Sequence, residues 1–202
     1  MTSSARRPRG RPRAYEPEIA LRNARDAFWR KGFAATSLDD LAAAMTMNRP
    51  SIYSGFGDKR ELYIKVVTRY AKDSQAALEE ALAQPRPLRE GLLALYRNAR
   101  NFYLAGDPAP RGCFLIGTAV TEAPHDADVR RAVDDTFEAF TAAFTKRFEQ
   151  AAADGDLAPL PPAAAAALAT ATLNAIALRI RTGARPEAVD VLIAATVEAI
   201  CA

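Results

Sequence analysis

The chain has 202 residues, half of them apolar, which is enough to bury a sizeable core in one compact unit or two small ones. Its formal net charge of +3 is unevenly spread: residues 1–72 carry 15 Lys or Arg against 7 Asp or Glu, and the remainder carries 12 against 17. The basic end favours nucleic acid as a partner, while a single histidine and two widely separated cysteines argue against a zinc site or a disulfide scaffold.

Residues 1–15 form a basic arm that offers little to a core, and we expect it to be disordered when free. Its Arg-Gly-Arg-Pro core is similar to an AT-hook, whose arginines enter a narrow minor groove. The candidates for such a contact are Arg9, Arg11 and Arg13. The alternative is a solvated tail that adds only salt-dependent attraction to DNA.

The segment after the arm predicts a long helix that begins at Pro17 and ends near Gly32, with one apolar stripe. Two short helices and the start of a third follow. Ser37 with Asp40 has the pattern of a capping box, Asn48 is placed to cap the next helix, and Asp58 opens another. Two short helices separated by a tight turn, with polar residues on the second, predict a helix-turn-helix suited to the major groove.

The second of these short helices offers polar side chains that can read or hold DNA. Arginine pairs bidentately with guanine, and asparagine or serine can meet a base edge or a phosphate. The candidates are Asn48, Arg49, Ser51 and Tyr53. The alternative is a surface helix whose polar residues are merely solvated.

The sequence of this region resembles the TetR family of bacterial transcriptional regulators. That family's signature ends in a Tyr, an aromatic cluster, a Lys and a Leu, and the corresponding residues here are Tyr53, Phe56, Lys59 and Leu62. The resemblance covers about the first seventy residues strongly and the rest only in helical layout. It implies that Tyr53 and Lys59 contact phosphates, and that Thr36 and Ser37 do so at a helix start.

Two positions depart from the family pattern. Thr46 stands in the turn where the family usually has glycine, and threonine takes a positive φ only with strain. Gly55 stands where the family usually has a larger residue. We therefore expect a strained turn and a looser end of the recognition helix.

The rest of the chain predicts more helices and no alternating strand pattern. A fourth helix continues from Asp58, a fifth ends near Gly106, a short apolar one follows Cys113, and a long aromatic-striped one reaches Gly155. Two Ala-rich helices, about 162–181 and 186–201, complete the chain. The prediction is an all-α protein of about nine helices. It has a helix-turn-helix domain at 16–62 and a larger effector-binding and dimerisation domain at 63–202.

Aromatic residues concentrate in the middle of the second domain. Such stripes are usually ordinary core, but the resemblance implies an apolar cavity for a small apolar or aromatic effector. Cys113 follows Arg111 at a helix start, a setting that lowers a thiol pKa, although most isolated cysteines are inert. The candidate pocket residues are Phe102, Tyr103, Cys113, Phe114, Phe137, Phe140 and Phe144.

The two Ala-rich helices carry apolar residues on more than one face. The resemblance implies that this pair meets its symmetry mate in a four-helix dimer interface, as a palindromic operator requires. The alternative is an intramolecular hairpin packed on the core. The candidate interface residues are Leu168, Thr172, Ala175, Ile176, Arg179, Leu192, Ala195 and Thr196.

Together these features predict a homodimeric, ligand-responsive repressor of a palindromic operator. The alternatives are a thiol-based sensor acting through Cys113 and an architectural DNA-binding protein dominated by the arm. No nucleophile motif, glycine-rich phosphate loop or metal-ligand cluster is seen, so we expect no enzyme, cofactor or metal. No signal peptide pattern is seen, nor an apolar run approaching about 18 residues, so we expect a cytoplasmic protein without a membrane segment.

Overall fold

The computed structural model describes residues 16–106 and 109–202, and these residues fold as nine helices. The sixth consists of a π-helical turn, Leu115–Ala119, continued by Val120–Glu122. The all-α prediction is confirmed, and the arm with Arg9, Arg11 and Arg13 lies outside the described residues. The helices are α1 (Pro17–Ala35), α2 (Leu38–Met45), α3 (Arg49–Phe56), α4 (Lys59–Leu82), α5 (Leu88–Leu104), α6 (Leu115–Glu122), α7 (Ala127–Asp154), α8 (Pro162–Arg181) and α9 (Pro186–Ile200).

Local capping sets the starts of α2, α3 and α4. The Ser37 hydroxyl accepts from the Asp40 N–H at 3.1 Å and the Asp40 carboxylate accepts from the Ser37 N–H at 2.9 Å, which completes the predicted capping box. The Asn48 carboxamide oxygen accepts from the Ser51 N–H at 2.8 Å. Asp58 and Glu61 form a second capping box at α4. All three predicted helix starts are therefore confirmed.

The end of α1 differs from the prediction. Gly32 has φ +78° and interrupts the helix, but the helix resumes and ends at Ala35. Glycine adopts this left-handed φ without strain, so the chain bends at Gly32 without terminating the helix.

Apolar packing joins α1, α2 and α3 to the start of α4. Phe28, Leu41, Ile52 and Phe56 are buried, and the Phe28 ring meets Tyr63 of α4 edge-on at 4.9 Å between centroids. The α1–α3 unit therefore rests on α4. That helix continues unbroken across the predicted domain boundary at residue 62.

A charged contact also joins the start of α4 to the start of α7. The Arg60 guanidinium donates to Asp126 at 2.5 and 2.9 Å and to Asp128 at 2.7 Å. Its hydrogen bonds hold the pKa of Asp126 below the ordinary aspartate range. Asp126 is also the N-cap of α7, so this contact ties the first turn of α7 to the first turn of α4.

The α8 helix is long and apolar enough by composition to cross a membrane, which the sequence prediction missed. Half of its most apolar window is buried inside the protein, and the helix packs on α5, α7 and α9. The Tyr96 hydroxyl of α5 donates to the Ala169 carbonyl at 3.1 Å. These contacts are typical of the core helix of a folded domain.

Candidate nucleic-acid interface and effector cavity

The α3 helix has a buried face and an open face. Ile52 and Phe56 anchor it, whereas Asn48, Arg49 and Tyr53 are exposed, Tyr53 by 50%. Because the Asn48 cap uses only its oxygen, that bond leaves the amide nitrogen uncommitted. The open face can therefore present donors and acceptors to an external surface.

Arg49, the candidate guanine contact, is held by a neighbour on α2. Its guanidinium donates to both carboxylate oxygens of Asp39, at 2.8 and 2.6 Å. These hydrogen bonds and the charge of Arg49 lower the pKa of Asp39. A bidentate pair fixes the guanidinium plane. The same two N–H donors would pair with guanine.

The residues around the start of α2 do not all face outward. Thr36 is fully buried and its hydroxyl donates to the Gly32 carbonyl at 2.6 Å, so its side chain faces the protein, and the phosphate contact at this helix start stays a prediction. Ser37 is exposed. The Lys59 ammonium donates to the Ala34 carbonyl at 3.3 Å and lies 4.5 Å from the Phe33 ring centroid.

Lys31, which sequence reasoning did not single out, lies beside the candidate site. Its ammonium donates to Asp40 at 2.7 Å, beside the exposed N-terminus of α2. A lysine near a helix start suits a phosphate, because free N–H groups and positive charge act together there. The available signal was its position, six residues before the Ser37 cap.

The Asp40 capping box makes stability depend on pH. Hydrogen bonds from the Lys31 ammonium and from Ser37 hold the pKa of Asp40 well below the ordinary aspartate range. Because the folded-state pKa is depressed, the stabilisation is present above the unfolded pKa of about 3.9 and is lost as pH falls through the folded value. We expect Asp40→Asn to unfold more easily than the parent at pH 7, and the difference to shrink below about pH 4.

Urea unfolding at a series of pH values measures this difference. The exposed Asp134→Asn on α7 is the matched control, and we expect it to follow the parent throughout. A gap between Asp40→Asn and the parent that stays constant into acid would contradict the role of the Asp40 charge.

The turn between α2 and α3 contains the strained threonine that the sequence predicts. Thr46 has φ +53° and ψ +43°, and it is the only non-glycine with positive φ among residues 16–106 and 109–202. A Cβ in this conformation costs roughly 1–2 kcal/mol. We expect Thr46→Gly to raise the free energy of unfolding by about 1 kcal/mol, after allowing for the greater backbone entropy of unfolded glycine.

Chemical denaturation of Thr46→Gly beside Thr68→Gly checks this expectation. Thr68 lies inside α4, where the same substitution should destabilise the protein by about 0.5 kcal/mol. If both variants lose stability, the contacts of the Thr46 side chain stabilise the fold by more than the positive φ destabilises it.

A cavity of about 480 Å³ lies between α4, α5, α7 and α8, with Arg25 of α1 also at its wall. Its wall is mainly apolar, with a few polar groups contributed by Arg25, Asp73, Ser74 and Asn98. The remaining lining residues are Tyr70, Ala77, Leu78, Ala81, Leu95, Ala99, Phe102, Tyr103, Phe140 and Leu173.

The cavity includes only part of the predicted pocket. Phe102, Tyr103 and Phe140 line it, whereas Phe114 and Phe144 are fully buried in the core and Phe137 lines a separate open groove on α7. Phe114 packs against Trp29 and Tyr70, and Phe144 stacks on Phe148. Phe114 and Phe144 were predicted as pocket residues, but their rings pack between helices. Aromatic residues that recur at helical spacing need not all line the same cavity.

Cys113 lies behind the cavity wall and does not line it. Its thiol is buried and accepts a hydrogen bond from the Tyr70 hydroxyl at 3.6 Å. Burial raises its pKa and outweighs the helix-terminal N–H groups, contrary to the direction expected from sequence. Arg111, which was expected to lower this pKa, has its guanidinium over the Trp29 ring, 5.8 Å from the ring centroid.

The outer surfaces of α8 and α9 carry exposed apolar side chains. Leu168 is 38% exposed, Leu178 53% and Val191 69%, and Ala195 and Arg179 are also exposed. Ala175 and Leu192 are half-buried. Small and apolar residues thus form an open face across both helices.

Three predicted interface residues do not belong to that open face. Thr172, Thr196 and Ile176 are buried within the protomer, and the two threonine hydroxyls lie 3.1 Å apart, bridging α8 to α9. Sequence reasoning missed Leu178 and Val191. No stripe in the alanine-rich sequence of α8 singles out Leu178, so its exposure is decided by packing.

Taken together, the capped α2–α3 pair and the helices beyond it define a helix-turn-helix protein with an appended α-helical domain. Residues 20–66 match the family profile described as bacterial regulatory proteins, tetR family, and residues 87–196 match a tetracyclin repressor-like C-terminal domain. The second match covers more than half of the chain. The chain belongs to the TetR family, as the sequence resemblance predicted.

Curated relatives match over part of their length. The transcriptional repressor ComR of Escherichia coli K12 is 32% identical over 130 residues, which cover 63% of this chain and 61% of ComR. The uncharacterised regulator YezE of Bacillus subtilis 168 is 29% identical over 122 residues, covering 60% of this chain and 62% of YezE. The chain therefore spans less than two thirds of the length of these relatives.

Solved structures agree over nearly the whole chain. A cysteine variant of the TetR family regulator CifR, in complex with a 26-bp double-stranded operator, has a TM-score of 0.82 and 28% identity, over 94% of this chain and 99% of that one. Reduced NemR of E. coli shares the fold, with a TM-score of 0.80 and 19% identity over 91% of this chain and 95% of its own.

Proposed function

We propose that this protein is a homodimeric transcriptional repressor in the cytoplasm that binds a palindromic DNA operator and leaves it when a small effector binds. The observation that carries the proposal is the α2–α3 pair: an N-cap fixes the start of each helix, Ile52 and Phe56 anchor α3, and Arg49 and Tyr53 remain exposed. ComR, with which it shares 32% identity, is itself a transcriptional repressor. In this role α3 would enter the major groove.

The contacts proposed for this interface divide by chemistry. Asn48, Arg49 and Ser51 would meet base edges, and Tyr53, Lys59, Ser37 and Lys31 would meet phosphates. A phosphate would compete with the Ala34 carbonyl for Lys59 and with Asp40 for Lys31. Two such heads must lie about 34 Å apart to reach adjacent major grooves.

The open face of α8 and α9 is the proposed dimer interface. A two-fold dimer supplies the symmetry that a palindrome requires. The apolar exposure of Leu168, Leu178 and Val191 supports this role, since burying them against a second copy would remove them from water.

The proposed effector site is the cavity beneath Phe102 and Tyr103. Its volume of about 480 Å³ suits a small molecule. The two charged groups at its wall already have partners, because Arg25 pairs with Asp26 and Asp73 pairs with Arg69. An uncharged apolar or aromatic effector therefore fits best, and a shift in the packing of α4 would change the separation of the two heads.

Selection from a random DNA duplex pool tests the proposal. Purified protein is incubated with the pool at near-physiological salt, and the retained duplexes are sequenced. We expect an inverted repeat. Retention of AT-rich DNA without symmetry would favour the arm-dominated architectural binder, and deletion of residues 1–14 would then abolish binding rather than only weaken it.

The thiol-sensor alternative makes a separate prediction. Because burial raises the pKa of Cys113, its thiolate fraction at neutral pH is lower than that of a free cysteine, and the folded core also blocks access. We expect Ellman's reagent at pH 7 to modify Cys113 far more slowly in folded protein than in guanidinium chloride, with Cys113→Ser identifying the signal of Cys201. Rapid modification of Cys113 accompanied by operator release would instead support the sensor.

A further inference from the structure

The effector cavity touches α1, a helix of the α1–α3 unit, without the mediation of α4. Arg25 lines the cavity, and its guanidinium lies 5.5 Å from the centroid of the Trp29 ring. Two further cavity residues meet the same indole: Tyr70 edge-on at 5.3 Å and Phe102 tilted at 6.1 Å. Trp29 is only 2% exposed, so these neighbours enclose it.

The same residue is also held by polar contacts. Its indole N–H donates to the Arg111 carbonyl at 3.0 Å. Arg181, at the end of α8, donates to that carbonyl at 3.0 Å and to the Trp29 carbonyl at 3.4 Å. These three residues form what we term the Trp29 junction, where α1, the segment before α6 and the end of α8 meet.

The junction has little free space. A Cβ at Gly112 would lie 3.1 Å from both the Ala177 carbonyl oxygen and the Arg181 Cβ, so this segment lies directly on α8. Close-packed groups of this kind move together, since no void absorbs the displacement of one of them. A displacement of the indole by a molecule in the cavity would therefore move α1, while Arg181 of α8 holds the segment on which the indole packs.

We propose that an occupant of the cavity signals to the DNA-binding helices through Trp29: it shifts Arg25, Tyr70 or Phe102, the indole follows, and α1 moves against the Arg181 support. Trp29 and Arg181 are positioning residues in this scheme, and neither needs to contact DNA. The inference rests on the proposed effector site and adds a second route to the one through α4. It assigns a regulatory role to the end of α8, whose outer face is proposed to hold the dimer.

A built-in occupant tests the route without knowledge of the effector. Ala99 lines the cavity on α5, so Ala99→Phe introduces a ring there, while Ala142→Phe places the same ring in the open groove of α7. Arg181→Gln removes the charged support at an exposed position, with the exposed Arg97→Gln on α5 as its control. Trp29 is the only tryptophan in the chain, so its fluorescence reports on the junction in every variant.

We expect Ala99→Phe to shift Trp29 emission and to weaken binding to the selected inverted repeat about tenfold, a typical coupling between sites. In the Arg181→Gln background the same substitution should weaken binding less than about threefold, because the unsupported segment yields. Ala142→Phe and Arg97→Gln should change neither quantity.

The outcomes separate the two proposals. An equal loss of affinity with and without Arg181 would overturn the Trp29 route and leave the effector site standing, as would weakened binding with unchanged emission. An emission shift with unchanged affinity would also overturn the route. If Ala99→Phe matches Ala142→Phe in both emission and affinity, the cavity does not control DNA binding and both proposals fail.

Discussion

Replacing Leu178 by aspartate is expected to leave the protein monomeric and to lower its operator affinity about 100- to 10,000-fold. Leu178 is 53% exposed in the protomer, so the substitution removes little from the core of a single chain. In the proposed dimer it would place an unpaired carboxylate inside an apolar interface, where no partner offsets its desolvation.

The loss of affinity follows from loss of the second head. In a dimer, the binding of one α3 helix brings the other to its half-site at a high effective concentration, whereas a monomer binds each half-site alone. Sedimentation velocity gives the oligomeric state, circular dichroism confirms that the protomer remains helical, and titration of the selected duplex gives the affinity.

Val120→Asp is the matched control for the interface. Val120 is 41% exposed and belongs to α6, not to α8 or α9, so this substitution should leave both dimer and affinity intact. A Leu178→Asp protein that stays dimeric and binds like the parent would show that copies meet through another surface.

The parts of the fold that sequence predicted correctly are those decided by near neighbours. Ser37 and Asp40 lie three residues apart, as do Asp58 and Glu61, so their capping boxes are complete before any helix packs on another. The strain at Thr46 has a different source: it follows from the family resemblance, in which glycine usually holds this turn, and the φ of +53° agrees with it.

The faces of α8 could not be assigned in this way. The helix is rich in alanine on every side, so its periodicity gives no stripe that separates inside from outside. Thr172 and Ile176 face the core and Leu178 faces out, and only packing against α7 and α9 decides between them.

The cavity and Cys113 depended on contacts distant in sequence. Arg25 belongs to the cavity although more than 40 residues separate it from Tyr70, the next lining residue. The local surroundings of Cys113 predicted a lowered pKa, but the Tyr70 and Tyr103 side chains that enclose the thiol come from other helices. Desolvation is a tertiary property, and here it outweighed the local effect.

Replacing Arg49 by alanine is expected to weaken operator binding about 5- to 150-fold and to relax the preference at one base position. Arg49 is exposed on α3, and its guanidinium already makes a bidentate pair with Asp39. In the complex the guanidinium would donate to guanine in place of Asp39, or to both at once. Alanine has no donor for either contact. Arg49→Lys tests geometry against charge, because lysine keeps the charge but lacks the planar pair of donors.

Asp39 provides the opposite change at the same contact. Asp39→Asn removes a carboxylate beside the proposed DNA-binding surface and releases the Arg49 guanidinium, so affinity for every duplex should rise while discrimination against a mutated operator falls. Titrations of the operator and of single-base variants at several salt concentrations measure both quantities. If Arg49→Ala instead weakens all duplexes equally and lowers the salt slope by about one, Arg49 holds a phosphate, and the reading of bases rests on Asn48 and Ser51.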